Sequence, residues 1–419
     1  MKSLAPNVCE VTMVANARDG GYLPAAIVNA KWQSSMNVIE TLLLYYERRH
    51  LIVDREVRDH FGVRIPVALV TEEVREIVGV QQQQLDKSTE NKQWENLIKD
   101  SSVFVKLQKV QVEGEHNSCA RASTTVDESA EAVLSYLWEY CSYERIAAVE
   151  NFEKNPREEI KSIGRNHKVL STVKNLPWPL RPRHFVNEYA WMRDTNDGGS
   201  FVLAWRPFHE DVSSLVYFGK HKKSTLVLGQ TWGYVRIKNT NTSPISCELT
   251  WTQVLDGRAS IPARIVDKTI PRSLRPVKQV REKFNRDDEI DSQALNVFIE
   301  NATKKQEPYE EEEEQMFESV WNSMRELPID TFSSLPSPDA RVSMGIAHRP
   351  NDKHTYLRAE TLIDAPAESV LGYVCSYKLR KRLKENHRSS VLFREIEEVN
   401  SHHIRYKLVQ DLGVGLVPR

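Results

Sequence analysis

Apolar and polar positions alternate through most of residues 103–255, and apolar residues recur every three or four positions on both sides of that stretch. Trp94, Leu97 and Ile98 at helical spacing predict an opening helix over 91–100. Two alternating runs, 103–112 and 118–126, flank Glu113-Gly114-Glu115-His116-Asn117 and predict strand, turn, strand. Ala132, Val133, Tyr136, Leu137 and Tyr140 make one face of a helix over 129–140, with Asp127 placed to cap it. Strands are then predicted at 159–163, 168–174, 185–192, 201–206, 225–230, 234–238 and 247–255. A closing helix starts at Pro262, a residue well suited to a first turn, and carries Ile261, Ile265, Val266, Ile270, Leu274, Val277 and Phe284 at spacings of three or four. Pro271 and Pro276 each remove a backbone donor, so this helix should be kinked or broken.

The chain also repeats itself. Residues 19–28 (DGGYLPAAIV) recur with one insertion as 256–266 (DGRASIPARIV), and residues 127–136 match 364–373 at the same spacing of 237 (19 to 256, 127 to 364). Residues 160–183 align without a gap on 396–419, both ending in Leu-x-Pro-Arg. Such a pitch implies tandem copies of one large domain, not a short solenoid repeat. The expected organisation is the C-terminal part of one copy at 1–62, a linker at 63–89 containing Gln81 to Gln84, a complete copy at 90–293, an acidic linker at 294–315 containing Glu310 to Glu314 and the first half of a further copy at 316–419, both linker tracts reading as solvated, flexible or helical spacers. A half-copy would leave strand edges unpaired, so the terminal copies read as incomplete, or as two parts of one composite copy.

Composition narrows the class. With 40% apolar and 27% charged residues the chain is globular, and its net charge of -1 gives no pull toward nucleic acid. Five scattered cysteines without a CxxC pair argue for a reducing compartment. The most apolar run, residues 39–46, is far short of the ~20 residues a membrane-spanning helix needs, and the first residues lack a secretory h-region. A cytoplasmic protein able to touch membranes peripherally is expected. Twelve histidines include no HExxH pair, and no GxSxG, GxxxxGK[ST] or GxGxxG is present. Neither a metal nor another cofactor is implied, and Cys141 and Cys247 read as structural cysteines in a protein that is not an enzyme.

Four pieces together carry a resemblance to a known family: Trp94, Arg181-Pro182-Arg183-His184-Phe185-Val186 entering a central strand, Glu248-Leu249-Thr250-Trp251 in the last strand, and Asp256-Gly257 leading to Ile261-Pro262. With this order of elements the chain resembles the START (StAR-related lipid transfer) family. The resemblance implies an α+β helix-grip fold, a curved antiparallel β-sheet wrapped around a long C-terminal helix, with an internal tunnel for one lipid and the closing helix as lid. Its tunnel would be lined by Tyr189, Phe201, Leu203, Trp205, Trp232, Tyr234, Leu249, Trp251, Ile261 and Ile265. Sterol-binding relatives commonly carry a buried Arg where Tyr189 stands, so a lipid other than a sterol is favoured; Glu188 could offer a polar anchor instead, but is read first as a solvent-facing strand glutamate. The loop after residues 201–206 would meet the membrane through Leu215, Val216, Tyr217 and Phe218 beside Lys220, Lys222 and Lys223, apolar and cationic groups suited to an anionic lipid surface. The function implied is lipid binding or transfer; the alternatives are lipid sensing or scaffolding without transfer, and a small-molecule cyclase or hydrolase on the same fold.

Overall fold

The computed structural model describes residues 2–11, 50–65, 70–97, 102–112, 118–150, 157–175, 181–195, 197–210, 226–242, 244–256, 263–304, 308–325, 327–348, 355–388, 391–399 and 403–410. They fall into two units, Met1–Asn285 and Arg286–Arg419. No helix among these residues is long and apolar enough to cross a membrane.

In the first unit a small hairpin, β1 (Lys2–Ala5) and β2 (Val8–Glu10), precedes α1 (His50–Arg64) and α2 (Glu72–Thr89). Strands β3 (Glu95–Asn96), β4 (Val105–Gln111) and β5 (Ser118–Val126) lead to α3 (Ala130–Trp138) and α4 (Tyr143–Glu150). The chain then runs through β6 (Arg157–Gly164), β7 (His167–Lys174), β8 (Arg183–Asp194), β9 (Ser200–Pro207), β10 (Val227–Leu228), β11 (Gln230–Asn239) and β12 (Cys247–Asp256). Two helices close it, α5 (Ala263–Ser273) and α6 (Arg275–Lys283). The large sheet has the order β3-β4-β5-β12-β11-β9-β8-β7-β6, with every neighbour on this path antiparallel; β10 adds to β8 in parallel.

Both faces of the sheet are covered. Helices α3, α5 and α6 pack on one, where Leu134, Leu137, Ile270, Leu274, Val277 and Val280 meet Leu107, Ala122, Leu203, Val235 and Leu249. Helix α2 covers the other: Val74, Ile77, Val78 and Leu85 form one stripe against Ala190, Val202, Ala204 and Tyr234. Its start is set by Thr71, whose Oγ1 accepts a hydrogen bond from Val74 N at 3.3 Å. Double coverage explains β9, in which Phe201, Leu203 and Trp205 face one layer and Val202 and Ala204 the other. This is the α+β helix-grip, START-like architecture, with the closing helix broken as its prolines require: α5 contains Pro271, and α6 restarts at Arg275 with Pro276 in its first turn.

Three expectations are corrected, and one is met. No helix forms at the described residues of 91–100; Glu95–Asn96 is the edge strand β3, and the helix lies earlier, at Glu72–Thr89. Gln81 to Gln84 take the helical form of the expected spacer, but Gln81 is buried and not solvated. The cap of α3 is Ser129, whose Oγ accepts from Ala132 N at 3.3 Å, whereas Asp127 is buried in an ion pair with Arg281 of α6 at 3.1 Å. The acidic linker meets its helical reading, with residues 294–304 in one helix and Glu311 opening another.

The second unit comprises α7 (Asp287–Lys304), α8 (Glu311–Arg325), the sheet of β13 (Ser333–Leu335), β14 (Ser343–His348) and β15 (Thr355–Glu360), α9 (Ala367–Cys375), α10 (Arg380–Arg388) and the hairpin of β16 (Val391–Glu398) and β17 (Ile404–Gln410). Its order repeats that of α1 to β7. Helices α3 and α9 are offset by 237 residues at both ends (130 to 367, 138 to 375). Contacts repeat with the elements. Asp54 accepts from Tyr143 N and Glu144 N, and Asp291 from Arg380 N and Lys381 N, capping α4 and α10 alike. Arg145 Nη1 donates to the carbonyls of Tyr136 and Leu137, and Arg382 Nη1 to those of Tyr373 and Val374.

Candidate functional site

Sheet and closing helices do not fill all the space between them. A cavity of about 80 Å³ lies where β7, β8, β9 and β12 face the α5–α6 junction, bounded on the helix side by Arg272, Ser273, Pro276 and Gln279. A column of rings crosses it: Tyr140 on Tyr189 (centroids 6.2 Å apart), Tyr189 on Trp205 (5.9 Å) and Trp205 on Trp251 (5.1 Å). Strand pairing builds this column, since Tyr189 lies opposite Trp205 in the β8–β9 register and Gly233 lies opposite Trp205 on β11. A Cβ at Gly233 would stand 2.6 Å from Trp205 Cζ2, so the indole needs glycine there.

The polar atoms at the roof are satisfied. Trp251 Nε1 donates to Gln253 Oε1 at 3.0 Å, Gln253 Nε2 to Ser273 Oγ at 2.7 Å, and Ser273 Oγ to Ile270 O at 2.8 Å, which ties β12 to the end of α5. The opposite end is cationic. Arg145, Arg157 and Lys174 line it, and the guanidinium groups of Arg145 and Arg157 lie 5.0 and 4.4 Å from the centre of the Tyr140 ring. Burial raises the Tyr140 phenol, but Arg157, Lys174, Arg145 and a hydrogen bond with Thr172 outweigh it and hold the group below its ordinary value. Burial lowers Arg145, and repulsion from Arg157 lowers it further.

The expected tunnel residues separate into groups. Tyr189, Leu203, Trp205 and Trp251 line the cavity. Phe201 and Leu249 share its face but lie in the solid core, Phe201 edge-on to Trp191 at 6.3 Å. Trp232 and Tyr234 are corrected: they point to the opposite layer with α2, where Tyr234 Oη donates to Asp86 Oδ1 at 2.5 Å. Alternation placed them on one face of β11 without saying which, and a sheet covered on both sides welcomes rings on either. Ile261 and all seven expected membrane-contact residues, Leu215, Val216, Tyr217, Phe218, Lys220, Lys222 and Lys223, lie outside the described residues, as does the Ile265 side chain. Sequence reading missed Arg145, Arg157, Lys174 and Tyr140, which come from four elements or connections and share no spacing signal.

Glu188 is neither exposed nor in the cavity. On the α2 side of the sheet it meets His167 Nε2 at 3.2 Å and Arg206 Nε at 2.5 Å, while Arg206 reaches Glu76 of α2 at 3.2 Å. Glu73, His167 and Glu188 hold ligand-type atoms within 4.8 Å of one another, but Arg206 already supplies the cation of this cluster. An open depression of about 910 Å³ beside α2, edged by Arg75, Glu76, Asp86, Trp94 and Arg121, is a solvent-facing charged groove. Burial pushes the thiols of Cys119 and Cys247 up to about 12 and that of Cys141 up to about 11, which opposes thiolate chemistry at neutral pH.

No family model and no curated protein matches the chain. Among solved structures it is similar to the human StarD13 (DLC2) lipid transfer and protein localization domain, with 16% identity and a TM-score of 0.37 over 52% of this chain and 100% of that one. It is also similar to human STARD10 (17% identity, TM-score 0.38, 54% of this chain, 87% of that one) and to human StAR-related lipid transfer protein 5 (17%, 0.38, 51%, 96%). At these values the helix-grip assignment rests on the strand order and helix placement described above.

Proposed function

We propose that the first unit binds a single lipid between the inner face of its sheet and the closing helices, and that the chain carries tandem START-like copies, the second unit being a further one. The observation that carries the reading is the cavity roofed by a broken helix pair, with an aromatic and aliphatic floor of Tyr189, Leu203, Trp205 and Trp251. Drug-sized ligands occupy roughly 300–1,000 Å³. The cavity of about 80 Å³ is therefore a closed state, and loading requires α5 and α6 to part from the sheet and the ring column to open. Apolar ligand surface removed from water contributes about 25 cal/mol per Å², enough to drive such loading without catalysis. Raised buried thiols argue against cysteine nucleophile chemistry at Cys141 and Cys247. The tandem reading is supported by the shared offset and by the paired Asp54/Asp291 and Arg145/Arg382 contacts. A cytoplasmic protein that docks transiently on membranes fits this role, with a lipid other than a sterol as ligand.

The small resting volume also favours a second reading, lipid sensing without transfer. Native mass spectrometry of the full chain after incubation with mixed-lipid vesicles tests the first step: one added lipid mass per chain is expected, and an unchanged mass overturns the proposal. Movement of a labelled lipid between donor and acceptor vesicles then selects transfer; binding without movement selects sensing.

A further inference from the structure

The cavity has an unusual charge balance. Among the described residues five basic side chains line it, Arg145, Arg157, Lys174, Arg272 and Arg275, and no carboxylate does. Two of the basic groups that surround Tyr140 differ in what occupies them. Arg145 donates to the carbonyls of Tyr136 and Leu137 at the end of α3, and Arg382 makes the same contacts in the second unit, so this arginine has a structural task. Arg157 lies over the Tyr140 ring, and its Nη1 is buried with no hydrogen-bond partner among the described residues. A buried guanidinium nitrogen left without an acceptor is costly, and a carboxylate or phosphate oxygen is the acceptor its geometry suits best. Lys174 adds a second cation at this end, and the Tyr140 hydroxyl and Thr172 bring neutral donors beside it.

We infer that the cavity is the seat of an anionic head group, a carboxylate or phosphate held by Arg157 and Lys174 beside Tyr140, with the attached apolar chain lying along Leu203, Trp205 and Trp251. The inference rests on the lipid-binding reading and gives it a chemical class: anionic single-head amphiphiles are preferred over neutral ones of the same chain. Charge repulsion between Arg145 and Arg157, already felt in the depressed Arg145, would be relieved when the anion enters.

The test is titration of the full chain with palmitate, hexadecanol, dodecyl phosphate and inorganic phosphate, followed by calorimetry, with Arg157→Gln and Lys174→Met alongside and near-ultraviolet circular dichroism to verify folding. Palmitate and dodecyl phosphate should bind at least tenfold more tightly than hexadecanol, and Arg157→Gln should erase that preference. Lys174→Met should lower it severalfold, which keeps the test open if the arginine variant fails to fold. Equal binding of palmitate and hexadecanol would overturn the anion site and leave the lipid cavity standing. Inorganic phosphate binding as tightly as dodecyl phosphate would support the anion site and overturn the lipid reading. Binding of none of the four would overturn both.

Discussion

Replacing Arg281 by Met removes the cation that holds α6 to the junction of β5 and α3. Its guanidinium lies 3.1 Å from Asp127 Oδ2, and the two side chains are 7% and 1% exposed. The variant takes the cation from a buried carboxylate, and breaking one partner of such a buried pair costs about 3–5 kcal/mol. Loss of the stacking of Arg281 on Phe104, 5.1 Å from the ring centre, adds about 0.5–1 kcal/mol. For a unit of this size each kcal/mol lowers the midpoint by roughly 2 °C, so thermal unfolding of the full chain should show the first-unit transition about 7–12 °C lower. Hydrogen exchange should rise in α6 before it rises in β11. Pairing the change with Asp127→Leu should recover most of the loss, because replacing both charges with apolar groups of similar volume is often close to neutral. A shift under 2 °C in the single variant, or no recovery in the pair, would refute the view that this ion pair latches the closing helix.

Three further outcomes are expected. Burial raises the Glu188 carboxyl, but hydrogen bonds from His167 and Arg206 outweigh it and depress it overall, so its contribution to stability is present above the ordinary carboxylate range and is lost as pH falls through the depressed value; Glu188→Gln should be less stable than the parent at pH 7, the gap closing in acid melts, and a constant gap would contradict this. Gly233→Ala places a methyl 2.4 Å from Thr252 O and 2.6 Å from Trp205 Cζ2, which should cost about 1–3 kcal/mol in urea unfolding and change the tryptophan emission; wild-type behaviour would show that the indole is not confined there. Exposed Cys9 should react with Ellman's reagent at pH 8 while Cys119 and Cys247, pushed up to about 12, stay unmodified by intact mass until urea is added; labelling of all three at one rate would count against their burial.

Much of the fold was legible because strand alternation and helical spacing are local. The strands from β4 to β12 follow the predicted runs, β10 lying within 225–230, and the break in the closing helix follows from Pro271 and Pro276. Helix α2 was legible too, since Val74, Ile77, Val78, Gln81 and Leu85 form a stripe behind an N-capping Thr71, but the glutamine run within it resembles a linker when composition is read before period. What local pattern does not supply is which layer a strand face meets. That is why Trp232 and Tyr234 were grouped with Trp205 although they lie under α2. The cationic end of the cavity was hidden for a related reason: Arg145, Arg157 and Lys174 come together only when α4, β6 and β7 pack.

The most direct test of a loadable interior is a crystal structure of the full chain grown with palmitate. Electron density should place the carboxylate beside Arg157 Nη1 and the chain between sheet and α5–α6, with the Tyr189 and Trp205 rings parted beyond their present 5.9 Å. Rings still stacked at that distance, with palmitate absent or bound on the outer surface, would contradict a lipid site inside this fold.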